Sequence, residues 1–159
     1  MRAAVITVSS SRAARAGEDQ SGEHLAAFAR RLGAETVERE LIADQRRLIE
    51  EAIRRWADVE RCALVLTTGG TGLAPSDVTP EATRSVIERD VPGIAEAMRW
   101  ISRDYTPNWM LSRAVAGVRG SSLIVNFPGN PDSIAQTAET LAGPLAHAVE
   151  LIGGGSVEH

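Results

Sequence analysis

The sequence contains no lysine; all seventeen basic residues among its 159 are arginine. Chemistry that needs a lysine ammonium or amine is therefore excluded, whether a P-loop phosphate contact, a Schiff base or a cofactor aldimine. Cysteine is nearly absent too. Cys62 stands alone, which rules out an intrachain disulfide and Cys-rich zinc or iron–sulfur sites and suits a reducing compartment, so a cytoplasmic location is expected. The three histidines form no HxxxH pattern and no GxSxG occurs, which argues against zinc and serine hydrolases. Three Trp, one Tyr and two Phe leave the core to Ala, Val, Ile and Leu, a composition that favours α/β layers. No apolar run is long enough for a signal peptide or a membrane span. Excess positive charge is missing as well: the net charge of −4 argues against a nucleic-acid or anionic-membrane binder.

What is present reads as alternating strands and helices. Residues 3–8 form a nearly continuous apolar run, as expected of a strand buried on both faces of a parallel sheet. Leu25, Phe28, Ala29 and Leu32 recur at helical spacing over 21–32, and Gly33 supplies the stop. Residues 36–42 predict a more exposed strand. Asp44 then occupies an N-cap position for a helix carrying Leu48, Ile49, Ala52, Ile53 and Trp56 on one face. Residues 61–68 predict the most buried strand. Thr79 as N-cap and Pro80 at the first helical position open another helix, and Pro92 opens one bearing Ile94, Met98 and Ile101, a stripe for the core or a subunit interface. From Ala114 a hairpin turns at 119–122 into LIVNF, placing one antiparallel strand in the sheet. The last helix starts at Asn130-Pro131, with a kink expected at Gly143-Pro144. One domain over 1–152 with a flexible tail over 153–159 accounts for the whole pattern.

In such a βαβ arrangement every strand-to-helix loop emerges at the carboxyl edge of the sheet, where ligands bind. The loops that meet there carry the serines from Ser9 onward, Asp44, the run GGTGLAPSD at 69–77 and PGN at 128–130. The Gly-rich run lets backbone N–H groups form an anion-binding concavity without a basic side chain, although it is neither a Walker A nor a dinucleotide fingerprint. Asp77 has no capping duty once Thr79 and Pro80 explain the helix start. With Asp44 it makes a two-carboxylate magnesium site beside a phosphate-sized cradle. Asp19 is placed as a helix cap, and Arg113 in LSRAVAG is a candidate phosphate partner alongside the more ordinary structural reading.

TTGGTG followed by DVTPEAT, with LSRAVAGVRG and PGNP downstream and an SSSR…GEDQSG opening, resembles the MogA/MoaB-type molybdopterin adenylyltransferase family over essentially the whole chain. The resemblance implies a three-layer α/β/α molybdopterin-binding fold, a homotrimer, and activation of molybdopterin with Mg²⁺ and ATP to adenylyl-molybdopterin and pyrophosphate, with handover to a molybdate-insertion protein. It points to Asp77 and Asp44 as the catalytic, magnesium-associated carboxylates. It assigns Thr68, Gly69, Gly70, Thr71 and Gly72 to the phosphate and pterin cradle, and Pro128, Gly129 and Asn130 to a second wall. Ser9, Asp19, Ser112 and Arg113 complete the substrate-binding positions. Relatives often carry Arg where this chain has Ser76, and Lys or Asn where it has Asp132. A noncatalytic pterin-binding or scaffolding oligomer of the same fold is the alternative reading.

Overall fold

A computed structural model describes residues 1–13 and 18–155, without the side chains of Arg12 and Ala13. Residues 14–17 of the SSSR…GEDQSG opening and the last four residues of the tail thus lie outside the described residues. Six strands form one sheet in the order β2-β1-β3-β6-β5-β4: β1 Arg2–Val8, β2 Thr36–Ile42, β3 Leu64–Thr68, β4 Arg89–Asp90, β5 Ala116–Arg119 and β6 Ser122–Phe127. β1 pairs in parallel with β2 and β3, and β3 with β6. β5 is antiparallel to both β6 and β4, so it alone runs against the others, as the hairpin at 119–122 requires. The turn residue Gly120 takes φ 53°, a conformation that suits glycine.

The helices are α1 Ser10–Ala13, α2 Gln20–Arg31, α3 Arg46–Arg54, α4 Thr79–Val86, α5 Pro92–Ser102 and α6 Pro131–Ile152, with a π-helical turn at Arg55–Val59 and a 3₁₀ turn at Trp109–Leu111. They cover both faces, because successive strand side chains point to opposite sides of a sheet. Ala3 and Val5 of β1 join Leu64, Leu66, Leu123 and Val125 beneath α2, α5 and α6. Ala4, Ile6 and Val8 join Val65 and Ile124 on the other side, beneath Ile49 and Ile53 of α3 and Ala82 and Val86 of α4. Phe28 of α2 meets Phe127 of β6 edge-on, ring centroids 6.0 Å apart. This is the three-layer α/β/α arrangement with a mostly parallel sheet.

Three local expectations are corrected. Gln45, and not Asp44, precedes α3, and it makes no side-chain cap bond. Val78 precedes α4, so Thr79 is the first helical residue and not a cap. α6 runs unbroken through Pro144 over 22 residues, its core-facing Ile134, Ala138, Leu141 and Leu145 buried against the sheet. Asn130 does cap α6, its Oδ1 accepting from Asp132 N at 3.0 Å. Asp19 likewise caps α2.

The register decides where the loops meet. Thr7 of β1 stands opposite Thr68 of β3, Thr68 opposite Phe127 of β6, and Val8 opposite Ile42 of β2. Four neighbouring parallel strands therefore end in one row. Their outgoing loops form a single edge.

Candidate functional site

At the end of β3 the chain turns through Gly69 and Gly70 at φ 96° and 64°. Side chains are excluded there on two counts. A Cβ on Gly69 would strike the Val8 carbonyl oxygen of β1, and one on Gly70 would stand 2.5 Å from Thr79 Oγ1. Thr79, fully buried, donates its hydroxyl to Gly69 O at 2.9 Å and its N–H to Gly70 O at 3.1 Å. Its duty is thus to fold the glycine loop back onto α4. Gly69 N–H is taken by Phe127 O at 3.2 Å. The following N–H groups of Gly70, Thr71 and Gly72 donate to no protein acceptor among the described residues. Successive unpaired backbone donors after a left-handed turn make an anion cradle.

The two carboxylates flank this cradle. Asp44 Oδ2 accepts from Ser10 N at 2.6 Å while Asp44 N donates to Ser10 Oγ at 2.9 Å, a reciprocal clasp between the β1 and β2 loops. Asp44 Oδ1 is turned toward Gly70, 3.4 Å from where a Cβ would be. Asp77 Oδ2 accepts from Ala74 N at 2.9 Å and lies 2.8 Å from a Cβ position on Gly72. One oxygen of each carboxylate has no protein donor among the described residues. Mg²⁺ prefers hard oxygen donors and keeps several waters, so two carboxylates beside a phosphate cradle are a donor set that fits it. Among the described residues no three His, Cys, Asp or Glu side chains gather, which leaves no richer metal cage in competition.

The second wall is PGN. Thr68 Oγ1 donates to Pro128 O at 2.8 Å and Ser21 Oγ to Gly129 O at 2.7 Å, and a Cβ on Gly129 would come within 3.3 Å of Gly69 Cα. Beyond Pro128 opens a pocket of about 140 Å³ lined by Arg99, Trp109, Ser112 and Ser133 among others. Sequence reasoning identified only Pro128 and Ser112 of these. The rest come from the end of α5, the 3₁₀ turn and the start of α6, and no local pattern joins such distant segments.

Two expected substrate positions bond to the protein itself. Asp19 is committed to the fold: Oδ1 accepts from Gly22 N at 3.0 Å, and Oδ2 accepts from Thr7 Oγ1 at 2.8 Å and from Arg39 at 3.0 Å. Burial alone would raise the pKa of its carboxyl, but these hydrogen bonds outweigh burial and hold it below the ordinary value of 3.8. Arg113 points its guanidinium at the Gly72 and Asp77 carbonyls and at Glu81, not into the cradle. Ser9 sits at the edge as expected, its N–H donating to Ile42 O at 2.9 Å.

One buried network escaped the sequence. Asn126 of β6 donates to Thr67 Oγ1 and Thr83 Oγ1, both at 2.9 Å, and accepts from Val115 N at 3.1 Å. It ties β3, α4 and the segment entering β5 together directly beneath the site. An Asn inside an apolar run was the available signal.

A family model described as "Probable molybdopterin binding domain" matches residues 4–148. The chain belongs to the molybdopterin-binding domain family. As a member of it, the chain is similar to the molybdopterin adenylyltransferase of Helicobacter pylori strain J99, 46% identical over 115 residues that make up 72% of this chain and 65% of that protein. It is 48% identical over 103 residues to the molybdopterin adenylyltransferase of Escherichia coli K12, covering 65% of this chain and 53% of that protein. The match thus spans between about half and two thirds of these curated relatives. The crystal structure of the molybdopterin biosynthesis enzyme MoaB from Thermus thermophilus superposes with a TM-score of 0.89 at 40% identity, covering 99% of each chain. Among the described residues no helix of this domain is long and apolar enough to cross a membrane.

Proposed function

We propose that the chain is a molybdopterin adenylyltransferase of molybdenum cofactor biosynthesis, acting in the cytoplasm on molybdopterin and ATP. The observation that carries this reading is the row of unpaired N–H groups at Gly70, Thr71 and Gly72 between the carboxylates of Asp44 and Asp77. The terminal phosphate oxygen of molybdopterin attacks the α-phosphorus of ATP; a new P–O bond forms there, and the bond to the β-phosphate oxygen breaks to release pyrophosphate. That phosphate is already ionised at neutral pH, so the site needs no strong base. It must align two anions and offset their charge.

The cradle amides bind and orient phosphate oxygens without a lysine. Asp44 and Asp77 would hold Mg²⁺, which supplies charge neutralisation on the phosphates. The pocket beyond Pro128, with the Trp109 ring in its wall, takes a heterocycle next to the phosphates. Trp100, Tyr105, Met110 and Leu111 are exposed apolar side chains on and after α5, and they support assembly as a homotrimer. Handover of the product to a molybdate-insertion protein completes the proposed role.

One observation favours a pterin-binding scaffold instead: Arg113, a candidate phosphate partner, is engaged by the protein itself. Pyrophosphate release from molybdopterin, ATP and Mg²⁺ separates the two. Adenylyl transfer predicts Mg²⁺-dependent release that falls about a hundredfold or more in Asp77→Asn and to a lesser extent in Asp44→Asn. Pterin binding without pyrophosphate release establishes the scaffold.

A further inference from the structure

The loop that carries Asp77 is poorly anchored by its own residues. Leu73 is 64% exposed, and Ala74, Pro75 and Ser76 are exposed as well, so apolar burial does not hold it. Its internal ties are the Ala74 N–H bond to the Asp77 carboxylate and the Asp77 N–H bond to Ala74 O. The remaining restraint comes from a residue distant in sequence. Arg113 N–H donates to Thr71 O at 2.9 Å, its Nε to Gly72 O at 2.8 Å and its Nη2 to Asp77 O at 2.6 Å. Glu81, in the first turn of α4, accepts from Nη1 and, at 3.5 Å, from Nη2.

We infer that Arg113 is the positioning residue for Asp77: its guanidinium, steadied by Glu81, spans the loop from Gly72 to Asp77 and sets the carboxylate against the backbone cradle. This rests on the assignment of Asp77 to the adenylyl-transfer site. The planar fork is what permits the span. Nε and Nη2 reach two carbonyls five residues apart while Nη1 engages Glu81, a geometry that a lysine ammonium cannot reproduce. The hydrogen bond from Arg113 also holds the Glu81 carboxyl below the usual range. Arg113 therefore acts through Asp77 and not by touching substrate.

The test begins on the ligand-free chain with amide hydrogen exchange of wild type, Arg113→Lys and Glu81→Gln. Loss of one or two charge-assisted bonds is expected to speed exchange at Ala74 and Asp77 by about ten- to a hundredfold, with the amides of β3 unchanged. Wild-type exchange at both amides in both variants overturns the inference. Should Arg113→Lys lose its cooperative melting transition, Glu81→Gln carries the same measurement with little change in volume. In the pyrophosphate assay, Arg113→Lys lowers kcat, leaves KM for ATP unchanged, and adds no further loss on top of Asp77→Asn. A raised KM for ATP with multiplying losses in the double variant makes Arg113 a direct phosphate ligand and also overturns the inference. Exchange is read without substrate, so failure of the adenylyl-transfer reading shows separately, as absent pyrophosphate release by wild type.

Discussion

Gly69 and Gly33 both adopt left-handed backbone, at φ 96° and 90°, but their surroundings differ completely. A Cβ on Gly33 has nothing within 4 Å, whereas one on Gly69 would run into the Val8 carbonyl oxygen of the adjacent strand β1. Alanine at either position costs about 1–2 kcal/mol for the left-handed conformation. Reduced freedom of the unfolded chain returns about 0.4–1 kcal/mol. Gly33→Ala should therefore destabilise by about 1 kcal/mol. At Gly69 the obstacle is the main chain of the last residue of β1, at the carboxyl edge of the sheet, so the ends of β1 and β3 must separate or the turn must move. Overpacking of that kind adds about 1–3 kcal/mol. For a chain of this size about 2–4 °C is lost per kcal/mol, which places Gly33→Ala about 2–4 °C below wild type and Gly69→Ala about 5–15 °C below it. Differential scanning calorimetry on the two variants reads the difference directly. Equal melting temperatures would refute the claim that the cradle is set by the approach of the turn to β1, because only the steric contribution separates the two substitutions.

Two further outcomes follow from buried polar groups. Asn126→Ala removes the acceptor of Val115 N–H and the donor to Thr67 and Thr83 from a fully buried position. It should cost about 2–4 kcal/mol, read as a lower urea midpoint at unchanged slope; a stability loss below about 0.5 kcal/mol would show the network to be dispensable. Asp19 supplies the pH dependence. Its folded pKa lies below 3.8, so its contribution is complete above that value and is lost as pH falls through the folded value. The stability gap between wild type and Asp19→Asn should hold from about pH 6 to about pH 5 and be smaller at about pH 3, and equal gaps at about pH 6 and about pH 3 would remove Asp19 from the acid response.

Most of the layer architecture was legible in the chain because its causes are local. Alternation of side chains along β1 is what sends Val5 to one face and Ile6 to the other. The helical spacing of Leu25, Phe28 and Ala29, and of Ile49, Ala52 and Ile53, marks the faces that the sheet then buries. The capping of α6 by Asn130 and the hairpin turn at Gly120 followed from residue chemistry alone. Asp44 and Thr79 misled because both satisfy the composition of an N-cap. A carboxylate or hydroxyl at a helix start takes whichever donor or acceptor is nearest, and here those belong to Ser10 and Gly69, thirty-four and ten residues away.

By itself, then, the amino-acid sequence determined the α/β alternation, the absence of lysine and disulfide chemistry, and the meeting of the Gly-rich loop, Asp44, Asp77 and PGN at one sheet edge. Those conclusions depend on period, composition and the handedness of βαβ connections, all readable along one dimension. Tertiary structure alone decided which polar groups at that edge face outward. Asp19 and Arg113 carry the same chemistry as residues that bind substrate, yet packing surrounds the first with Thr7, Gly22 and Arg39 and directs the second onto the Asp77 loop. Hydrogen-bond partners are a property of three-dimensional neighbours, and these two residues find theirs within the protein.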